Sequence, residues 1–409
     1  MRHLFPFFAL AGAFAAMPLM AQIALPPLGD AVRDTLGTVG RTVEPVLEDT
    51  TRIARTAQDL VRQRADRLAR LVRTSGGMIE LDRAGAPARA GEILLIAPTP
   101  EALDMARKAG FAMLSEERLD ALDIEVARLR VPAGQPLAKA QAALETLLPG
   151  AEITADTLAF HAGVAGSGGA HAKASTPATA IETPVGMIDG APRAGMTAAT
   201  TRGFAKGAPR ASNHGSAIAA LLTEAGAKRV LAADVYGSDP AGGNALAIGR
   251  AIDWLAGAGA RVVSISLVGP DNPLLARAVA AGRRRGIVFV TAVGNDGPAA
   301  PPAYPASYPG VLAVTGVDGR NRALIEAGRA LHLDYAAPGA DITATNAAGK
   351  RVRVRGTSYA APLVAARAAA AIDAGADVIR TLDAEARDLG PRGPDAVYGR
   401  GLVCGACRR

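Results

Sequence analysis

The sequence predicts an α/β protein whose main part is a parallel sheet with helices on both faces. Short apolar runs recur after residue 185, helical patterns separate them, and polar side chains follow several of the runs. Strands that are buried on both faces read as near-continuous apolar runs, and their alternation with helices is typical of parallel sheets. A small α+β (split βαβ) domain and a helical N-terminal segment are predicted before this part.

The composition is that of a globular protein. The 409 residues are 49% hydrophobic and 20% charged, which suffices for a packed core. The net charge is +7, but basic and acidic residues are interleaved, and no compact basic run or RNA-binding motif occurs. We therefore expect a solvated basic surface and no nucleic-acid partner. No cofactor and no metal are expected either, since two cysteines alone make a poor zinc site and no obvious cluster of acids suggests a calcium site.

Residues 1–21 have the pattern of a signal peptide. Arg2 and His3 give a short positive start, the stretch Leu4–Leu19 is apolar, and the small residue Ala21 ends a cleavage-site pattern. The stretch is short for a membrane-spanning helix, and an uncleaved anchor is the alternative. The expected location is therefore secreted or periplasmic.

Residues 22–90 combine a linker with an Arg-rich helical segment. Between Arg41 and Arg73 apolar residues recur at helical spacing, with arginines and acids between them. One interpretation is a helix that packs on its own protein. The alternative is contact of 41–73 with an anionic membrane surface or a partner.

Residues 91–162 predict a compact domain in the order strand, helix, strand, strand, helix, strand. The predicted strands and helices, in chain order, are Ile93–Ile96, Pro100–Ala109, Phe111–Leu114, Asp123–Val131, Leu137–Leu148 and Ile153–Phe160.

Residues 163–184 are rich in Gly, Ala, Ser and Thr, and we predict a flexible linker that is open to proteolytic cleavage. His161 and His171 have no ligand-type neighbours in sequence, so no functional role is predicted for either.

Residues 185–403 alternate between strands and helices. In such sheets the ligand lies at the carboxyl ends of the strands, so the residues that follow each strand are the candidates for chemistry. The predicted elements are the strands Val185–Ile188, Arg229–Val235, Val262–Leu267, Ile287–Ala292 and Val311–Val317, and the helices His214–Ala225, Asn244–Ala256, Pro273–Arg285 and one that starts at Thr357 or Ser358.

The candidate residues at these ends fill the roles of a nucleophilic site. Ser358 would be the nucleophile, and a serine needs a base such as His214 within hydrogen-bond reach. Asp189 would orient the imidazole and stabilise its charged form. Asn295 and the backbone N–H of Ser358 would donate to the oxyanion. Asp234 also ends a predicted strand and is the alternative to Asp189.

These motifs resemble those of the subtilisin-like (subtilase) serine peptidases, with the residues in the family's order Asp, His, Ser. The resemblance spans residues 185–402 and is carried by Gly356–Pro362 around the serine, Asn213–Ser216 around the histidine and Gly294–Gly297 around the asparagine. It implies a serine endopeptidase with polypeptide substrates. It also implies that the 91–162 domain is an inhibitory propeptide that is removed by cleavage. The linker composition of 163–184 predicts that the cleavage falls within this segment.

The resemblance further implies that the stretch from Ser264 to Gly269 pairs with the substrate backbone. The substrate-binding candidates are Ser264, Ser266, Leu267, Gly269 and Gly294.

The sequence departs from the family pattern at several places. Gly190 follows Asp189 in Ile188–Ala191, where Ser or Thr commonly follows the aspartate. Ser216–Ile218 lacks the second histidine, and Tyr359 stands where Met is usual. The short stretch from Asp189 to His214 predicts an abbreviated surface loop.

Three alternatives to this interpretation stay open. One is a catalytically silent binding protein that keeps the fold, and a second is a membrane-surface or assembly factor that acts through residues 41–73, with peptidase activity secondary. The third, an esterase or lipase, would be expected to show a Gly-x-Ser-x-Gly motif and the order Ser, Asp, His, and neither is found at Ser358.

The tail, residues 404–409, contains Cys404 and Cys407, for which a local disulfide is expected in an exported protein.

Overall fold

The computed structural model describes residues 44–162, 164–169 and 179–407. The predicted signal peptide, the linker that follows it and His171 lie outside these ranges.

The chain divides into two compact units, residues 1–54 and 55–409, and of the first only the start of a helix is described. This helix, α1 (Glu44–Thr74), occupies the segment where the sequence predicts one. Among the described residues no helix combines the length and the apolar character needed to cross a bilayer.

The small domain is an antiparallel sheet that carries two helices. Its elements are β1 (Ile79–Leu81), β2 (Pro87–Ile96), α2 (Pro100–Lys108), β3 (Ala112–Leu119), β4 (Ile124–Arg130), α3 (Leu137–Leu147) and β5 (Glu152–Thr157). The strand order is β1-β2-β4-β3, with β5 also paired to β2. The predicted order of strands and helices is confirmed. The sheet begins before residue 91, because β1 pairs with the first half of β2.

Both faces of the small sheet are covered. Ile93 and Leu95 pack under α2 and α3, whereas Leu94 and Ile96 pack in a core shared with the large domain. Because successive residues of a strand point to opposite faces, this double burial explains four apolar residues in a row in an antiparallel strand.

Between the two domains lie two further strands, β6 (Phe160–His161) and β7 (Val164–Gly169). The large domain then contains β8 (Val185–Asp189), β9 (Ala199–Gly203), α4 (Asn213–Glu224), β10 (Val230–Asp234), α5 (Ala245–Gly257), β11 (Val262–Ile265), β12 (Leu267–Val268), α6 (Pro273–Arg284), β13 (Val288–Ala292), β14 (Leu312–Val317), β15 (Tyr335–Pro338), β16 (Ile342–Thr345), β17 (Arg351–Arg355), α7 (Thr357–Asp373) and α8 (Val378–Glu385).

The central sheet has the order β15-β14-β13-β11-β8-β10-β9, and all of its pairs are parallel. Helices α4 and α7 pack on one face, and α5 and α6 on the other, together with the small domain. This confirms the predicted parallel sheet with helices on both faces, and it gathers the carboxyl ends of the strands at one edge.

Two segments that were predicted as loops contain strands. The stretch between Asp189 and His214 contains β9, which pairs with β10 at the edge of the sheet. Residues 163–184, predicted as a flexible linker, contain β7, which pairs with β17. Neither has an apolar run, since β9 alternates between half-buried and exposed residues and β7 is mostly Gly and Ala.

Cys404 and Cys407 are joined in a disulfide, as the tail predicts.

Candidate active site

Two aspartates end neighbouring strands, and the structure separates their roles. Asp189 and Asp234 are partners in the register of β8 and β10. The carboxylate of Asp189 is fully buried and lies 2.8 Å from Nδ1 of His214. The carboxylate of Asp234 instead accepts backbone N–H bonds from Arg210, Tyr236 and Gly237. Asp189 is therefore the aspartate that is hydrogen-bonded to His214, whereas Asp234 binds backbone N–H groups of the neighbouring loops.

His214 lies in the first turn of α4. Ser212 caps the helix by accepting a hydrogen bond from Gly215 N at 2.9 Å. A Cβ at Gly215 would lie 2.0 Å from the carbonyl oxygen of Gly190. The helix can therefore approach the end of β8 only with glycine here, and this approach brings His214 against Asp189.

The charge state of Asp189 follows from its surroundings. Burial alone raises the pKa of a carboxyl group, but the imidazoles of His214 and His161 hold the pKa of Asp189 well below its usual value. The ionised carboxylate can accept the Nδ1–H of His214, which leaves Nε2 free to act as a base.

Ser358 is the second residue of α7, at the positive end of the helix dipole. Gly356 precedes the helix with φ 140°, in the left-handed region that favours glycine. Pro362 has no N–H to donate to the carbonyl of Ser358 one turn before it. That carbonyl accepts from the hydroxyl of Ser266 at 2.9 Å instead.

The two atoms between which a proton would pass are both buried and have no hydrogen-bond partner among the described residues: Oγ of Ser358 and Nε2 of His214. The ring of His214 lies 5.3 Å from that of Tyr359, the residue after the serine.

The chain itself occupies the groove beside these residues. β6 pairs antiparallel with β12, with His161 opposite Leu267 and Phe160 opposite Val268. The next residue, Ala162, donates its N–H to the carbonyl of Ser266 at 3.0 Å. This segment therefore lies as an added strand on the large domain, the arrangement by which an extended peptide is bound.

The carbonyl oxygen of Ala162 is held by two donors. The backbone N–H of Ser358 donates to it at 3.1 Å, and the side-chain amide of Asn295 donates to it as well. Oδ1 of Asn295 accepts from Thr357 N at 3.1 Å, which turns the NH₂ group towards Ala162. Asn295 and Ser358 thus polarise one carbonyl together.

The substrate-binding candidates fall into three groups. Ser266 and Leu267 contact the bound strand. A Cβ added at Gly269 would lie 3.1 Å from Leu158 O, so this glycine leaves room for the segment before β6. A Cβ added at Gly294 would lie 3.3 Å from Val268 of β12, so this glycine packs on the large domain's own strand. Ser264 lies inside β11, whose backbone pairs with β8 and β13, so it has no free edge for a peptide.

Sequence reasoning missed three residues at this site: His161, Ala162 and Tyr236. The ring of His161 lies 4.3 Å from that of His214 and 4.4 Å from that of Tyr236. Tyr236 follows β10, so its place near the carboxyl end of a strand was a signal that could have found it. His161 and Ala162 carry no such signal, because their placement depends on pairing with β12.

His161, Asp189 and His214 offer ligand atoms within 4.8 Å of one another, a spacing that a metal ion could bridge. Asp189 and His214 are already hydrogen-bonded to each other. We therefore interpret the group as an Asp–His pair with a neighbouring imidazole.

The site combines a buried serine, an Asp–His pair and two donors on one carbonyl, at the edge of a parallel α/β sheet. This arrangement is typical of serine hydrolases. The subtilase family model (Peptidase S8) matches residues 197–401, half of the chain. The chain belongs to the subtilase family. The matched region contains His214, Asn295 and Ser358 and begins after Asp189.

Two relatives illustrate the likeness in sequence. Minor extracellular protease Epr of Bacillus subtilis (strain 168) is 32% identical over 199 residues, which are 47% of this chain and 30% of that protein. Subtilisin DY of Bacillus licheniformis is 34% identical over 167 residues, or 38% of this chain and 60% of that protein. The chain thus spans between about a third and three fifths of the length of these relatives.

Solved structures show the same fold. Fervidolysin from Fervidobacterium pennivorans, a keratinolytic enzyme related to subtilisin, matches with a TM-score of 0.64 at 16% identity and covers 82% of this chain and 63% of its own. The epidermin leader peptide processing protease of Staphylococcus aureus matches with a TM-score of 0.58 at 16% identity, over 77% of this chain and 97% of its own. Both matches extend beyond residues 185–403.

Proposed function

We propose that this chain is an exported serine endopeptidase that cleaves its own backbone between Ala162 and Gly163. The observation that carries the proposal is the carbonyl of Ala162, which accepts from the Ser358 N–H and from Asn295 in the groove beside His214. In an acyl-transfer site that carbonyl is the one to be attacked, because donors on its oxygen stabilise the negative charge that develops there.

The reaction begins when Oγ of Ser358 attacks the carbonyl carbon of Ala162 and Nε2 of His214 takes the hydroxyl proton. Asp189 stabilises the imidazolium that forms, and Asn295 with the Ser358 N–H holds the oxyanion. The intermediate collapses, the C–N bond to Gly163 breaks, and His214 gives its proton to the departing amine.

Water then completes the cycle. It attacks the ester between Ser358 and Ala162 and loses a proton to His214. The second intermediate expels the serine, which regains the proton from His214. The products are a chain that ends in the carboxylate of Ala162 and a chain that begins at Gly163. Other polypeptides would be bound in the same way, along β12.

The fragment before Gly163 is proposed to stay bound as an inhibitor after cleavage. Its strand β6 fills the groove, and the small domain shares an apolar core with α5 and α6. Export is proposed from the pattern of residues 1–21 and from the description of one relative as extracellular.

The contacts of the Arg-rich helix α1 favour the interpretation that it packs on its own protein over the alternative of binding a membrane surface. Arg64 lies 3.0 Å from the carboxylate of Asp296, Arg67 pairs with the same carboxylate, and Leu60 lies against Gly297. Two of the arginines of the basic face are thus engaged in ion pairs within the chain.

The test is to express residues 22–409 with and without Ser358→Ala and to measure intact masses. The wild type should separate into 22–162 and 163–409, and the Ser358→Ala protein should stay whole. Ser115→Ala is a matched control, because Ser115 also has a buried hydroxyl without a partner but lies in β3. It should be cleaved like the wild type.

A fluorophosphonate probe tests the nucleophile separately, after cleavage has been scored. If the wild type stays whole and its Ser358 is not labelled even after proteolysis of the 163–184 segment, the peptidase proposal fails. The alternative of a silent binding protein with this fold then takes its place.

A further inference from the structure

The residue before Ala162 contacts groups on two different elements of the large domain. The ring of His161 lies between that of His214 on α4 and that of Tyr236 after β10, with centroid distances of 4.3 and 4.4 Å. The ring planes are tilted by 42° and 37° respectively. Tilted and offset arrangements at such distances are the favourable ones for planar rings.

A carboxylate lies at the edge of the same ring. Nδ1 of His161 is 3.5 Å from Oδ1 of Asp189, and the His161 side chain is 32% exposed. The surroundings thus combine two ring faces with one negative charge. An imidazole suits both, because it is planar and can carry an N–H or a positive charge towards the carboxylate.

Tyr236 is fixed in position from two sides. Its backbone N–H and that of Gly237 both donate to Oδ1 of Asp234 at 2.9 Å, which shapes the loop after β10. Its hydroxyl donates to the carbonyl of Ala159 at 2.9 Å, three residues before Ala162. Burial raises the pKa of Tyr236 well above its usual value, so this hydroxyl stays a donor. Tyr236 thus contacts the bound strand at its backbone and at the His161 side chain.

We infer that Tyr236 and His214, with the Asp189 carboxylate, form a subsite that selects histidine at the position before the attacked residue. The inference rests on the proposed function and names its substrate class: polypeptides in which histidine directly precedes the residue whose carbonyl is attacked. His161 is then the first ligand of this subsite, supplied by the chain itself.

The test follows self-cleavage in the full chain. Residues 22–409 are recovered in denaturant and diluted to start folding, which is followed by the fluorescence of Trp254, while intact mass follows cleavage. Wild type is compared with His161→Phe and His161→Leu, each with Tyr236 and with Tyr236→Leu. Tyr236→Phe keeps the ring and serves as the matched control for loss of the hydroxyl.

His161→Leu removes two ring contacts, and at the usual strength of such contacts its cleavage should be about tenfold slower than that of the wild type. Its folding should be unchanged. His161→Phe should lie between Leu and wild type, because it keeps the rings but has no N–H for Asp189. In the Tyr236→Leu protein, where one of the two ring contacts is already absent, His161→Leu should slow cleavage by at most about threefold. In the Tyr236→Phe protein, which keeps the ring, histidine should still be preferred at position 161.

Equal cleavage rates for all three residues at position 161, with normal folding, would overturn the inference and leave the peptidase proposal standing. So would a preference for histidine that is the same with and without the Tyr236 ring. If Tyr236→Leu does not fold, the comparison at position 161 in the wild-type chain still decides. Absence of cleavage in the wild type itself, as in Ser358→Ala, is the separate outcome that removes the proposed function.

Discussion

Asp156→Asn should remove a pH-dependent destabilisation at the contact between the small and large domains. Asp156 lies in β5 and is 1% exposed. It accepts from Leu246 N at the start of α5 at 2.9 Å, and Nε of Arg89 lies 3.7 Å away. Burial raises the pKa of Asp156 to about 6, although the Leu246 bond and Arg89 act in the opposite direction.

The size of the effect follows from the two pKa values. The difference between 3.8 and about 6 corresponds to about 3 kcal/mol. A raised pKa means that the folded state disfavours the ionised carboxylate. The penalty is therefore absent below about pH 4, grows between about pH 4 and 6, and is constant above that. Asparagine keeps an acceptor for Leu246 but cannot ionise.

The assay is urea unfolding of the full chain, with Ser358→Ala present in all samples so that no cleavage intervenes. Trp254, the one tryptophan, lies in α5 and reports on the helix that Asp156 contacts. The stability gained by Asp156→Asn should increase by about 3 kcal/mol between about pH 4 and 7.

Asp120→Asn is the control for this measurement, because the side chain of Asp120 is 89% exposed and lies in the same domain. Its stability should follow that of the parent at every pH. A difference between Asp156→Asn and its parent that does not change with pH would refute the reasoning, whatever the size of that difference.

Four further variants separate chemistry from stability: two should act on the cleavage rate and two on the stability of the fold. Asn295→Ala should slow self-cleavage by about 10²–10³, a figure that comes from the corresponding donor in a subtilisin. The melting temperature should fall only by the few degrees that the loss of two hydrogen bonds explains. Asp189→Asn should slow cleavage by about 10⁴ by favouring the wrong tautomer of the histidine, whereas Asp234→Asn should mainly lower the melting temperature, because it loosens loop N–H bonds. Replacing Cys404 and Cys407 by serine should cost about 2 kcal/mol in urea unfolding, since the closed loop is short, and a cost above about 4 would contradict this.

The central sheet was predictable because each of its inner strands carries its own signal. An apolar run bounded by turn residues identifies β8, β10, β11, β13 and β14, and the parallel arrangement places their polar followers at one edge. The edge strand β9 has no such run, since it pairs only with β10 in this sheet and its residues alternate between half-buried and exposed. It therefore read as a loop.

The choice between Asp189 and Asp234 shows where local pattern stops being sufficient. Both end strands, and the strands pair so that the two aspartates are in register. What separates them is the start of α4, which Gly215 allows to approach Gly190 at the end of β8. The sequence motif pointed to Asp189 through chain order, while the geometric reason appears only in three dimensions.

The occupied groove could not be predicted from local sequence at all. β6 and β12 have two residues each, too few for any periodicity, and they are joined across more than a hundred residues of chain. The position of so short a strand depends on its contacts with neighbouring residues. Ala162, which follows β6, makes three hydrogen bonds, and the ring of His161 contacts two other rings. The Gly, Ala, Ser and Thr content of residues 163–184 placed the expected cleavage in a linker, whereas the proposed bond lies at the first residue of that linker.

How firmly the N-terminal fragment would hold after cleavage depends on burial more than on charge. The pairs of Arg64 and Arg67 with Asp296 are partly exposed, with arginine side chains 37% and 53% accessible, and such pairs contribute at most about 1 kcal/mol each. Asn272, at the start of α6, is 1% exposed and donates to the hydroxyls of Thr154 and Thr157. Breaking buried bonds of this kind leaves polar groups unpaired, which costs about 1–3 kcal/mol each. The contacts of β5 should therefore set the lifetime of the complex, and α1 should mainly set the position of the loop after Asn295.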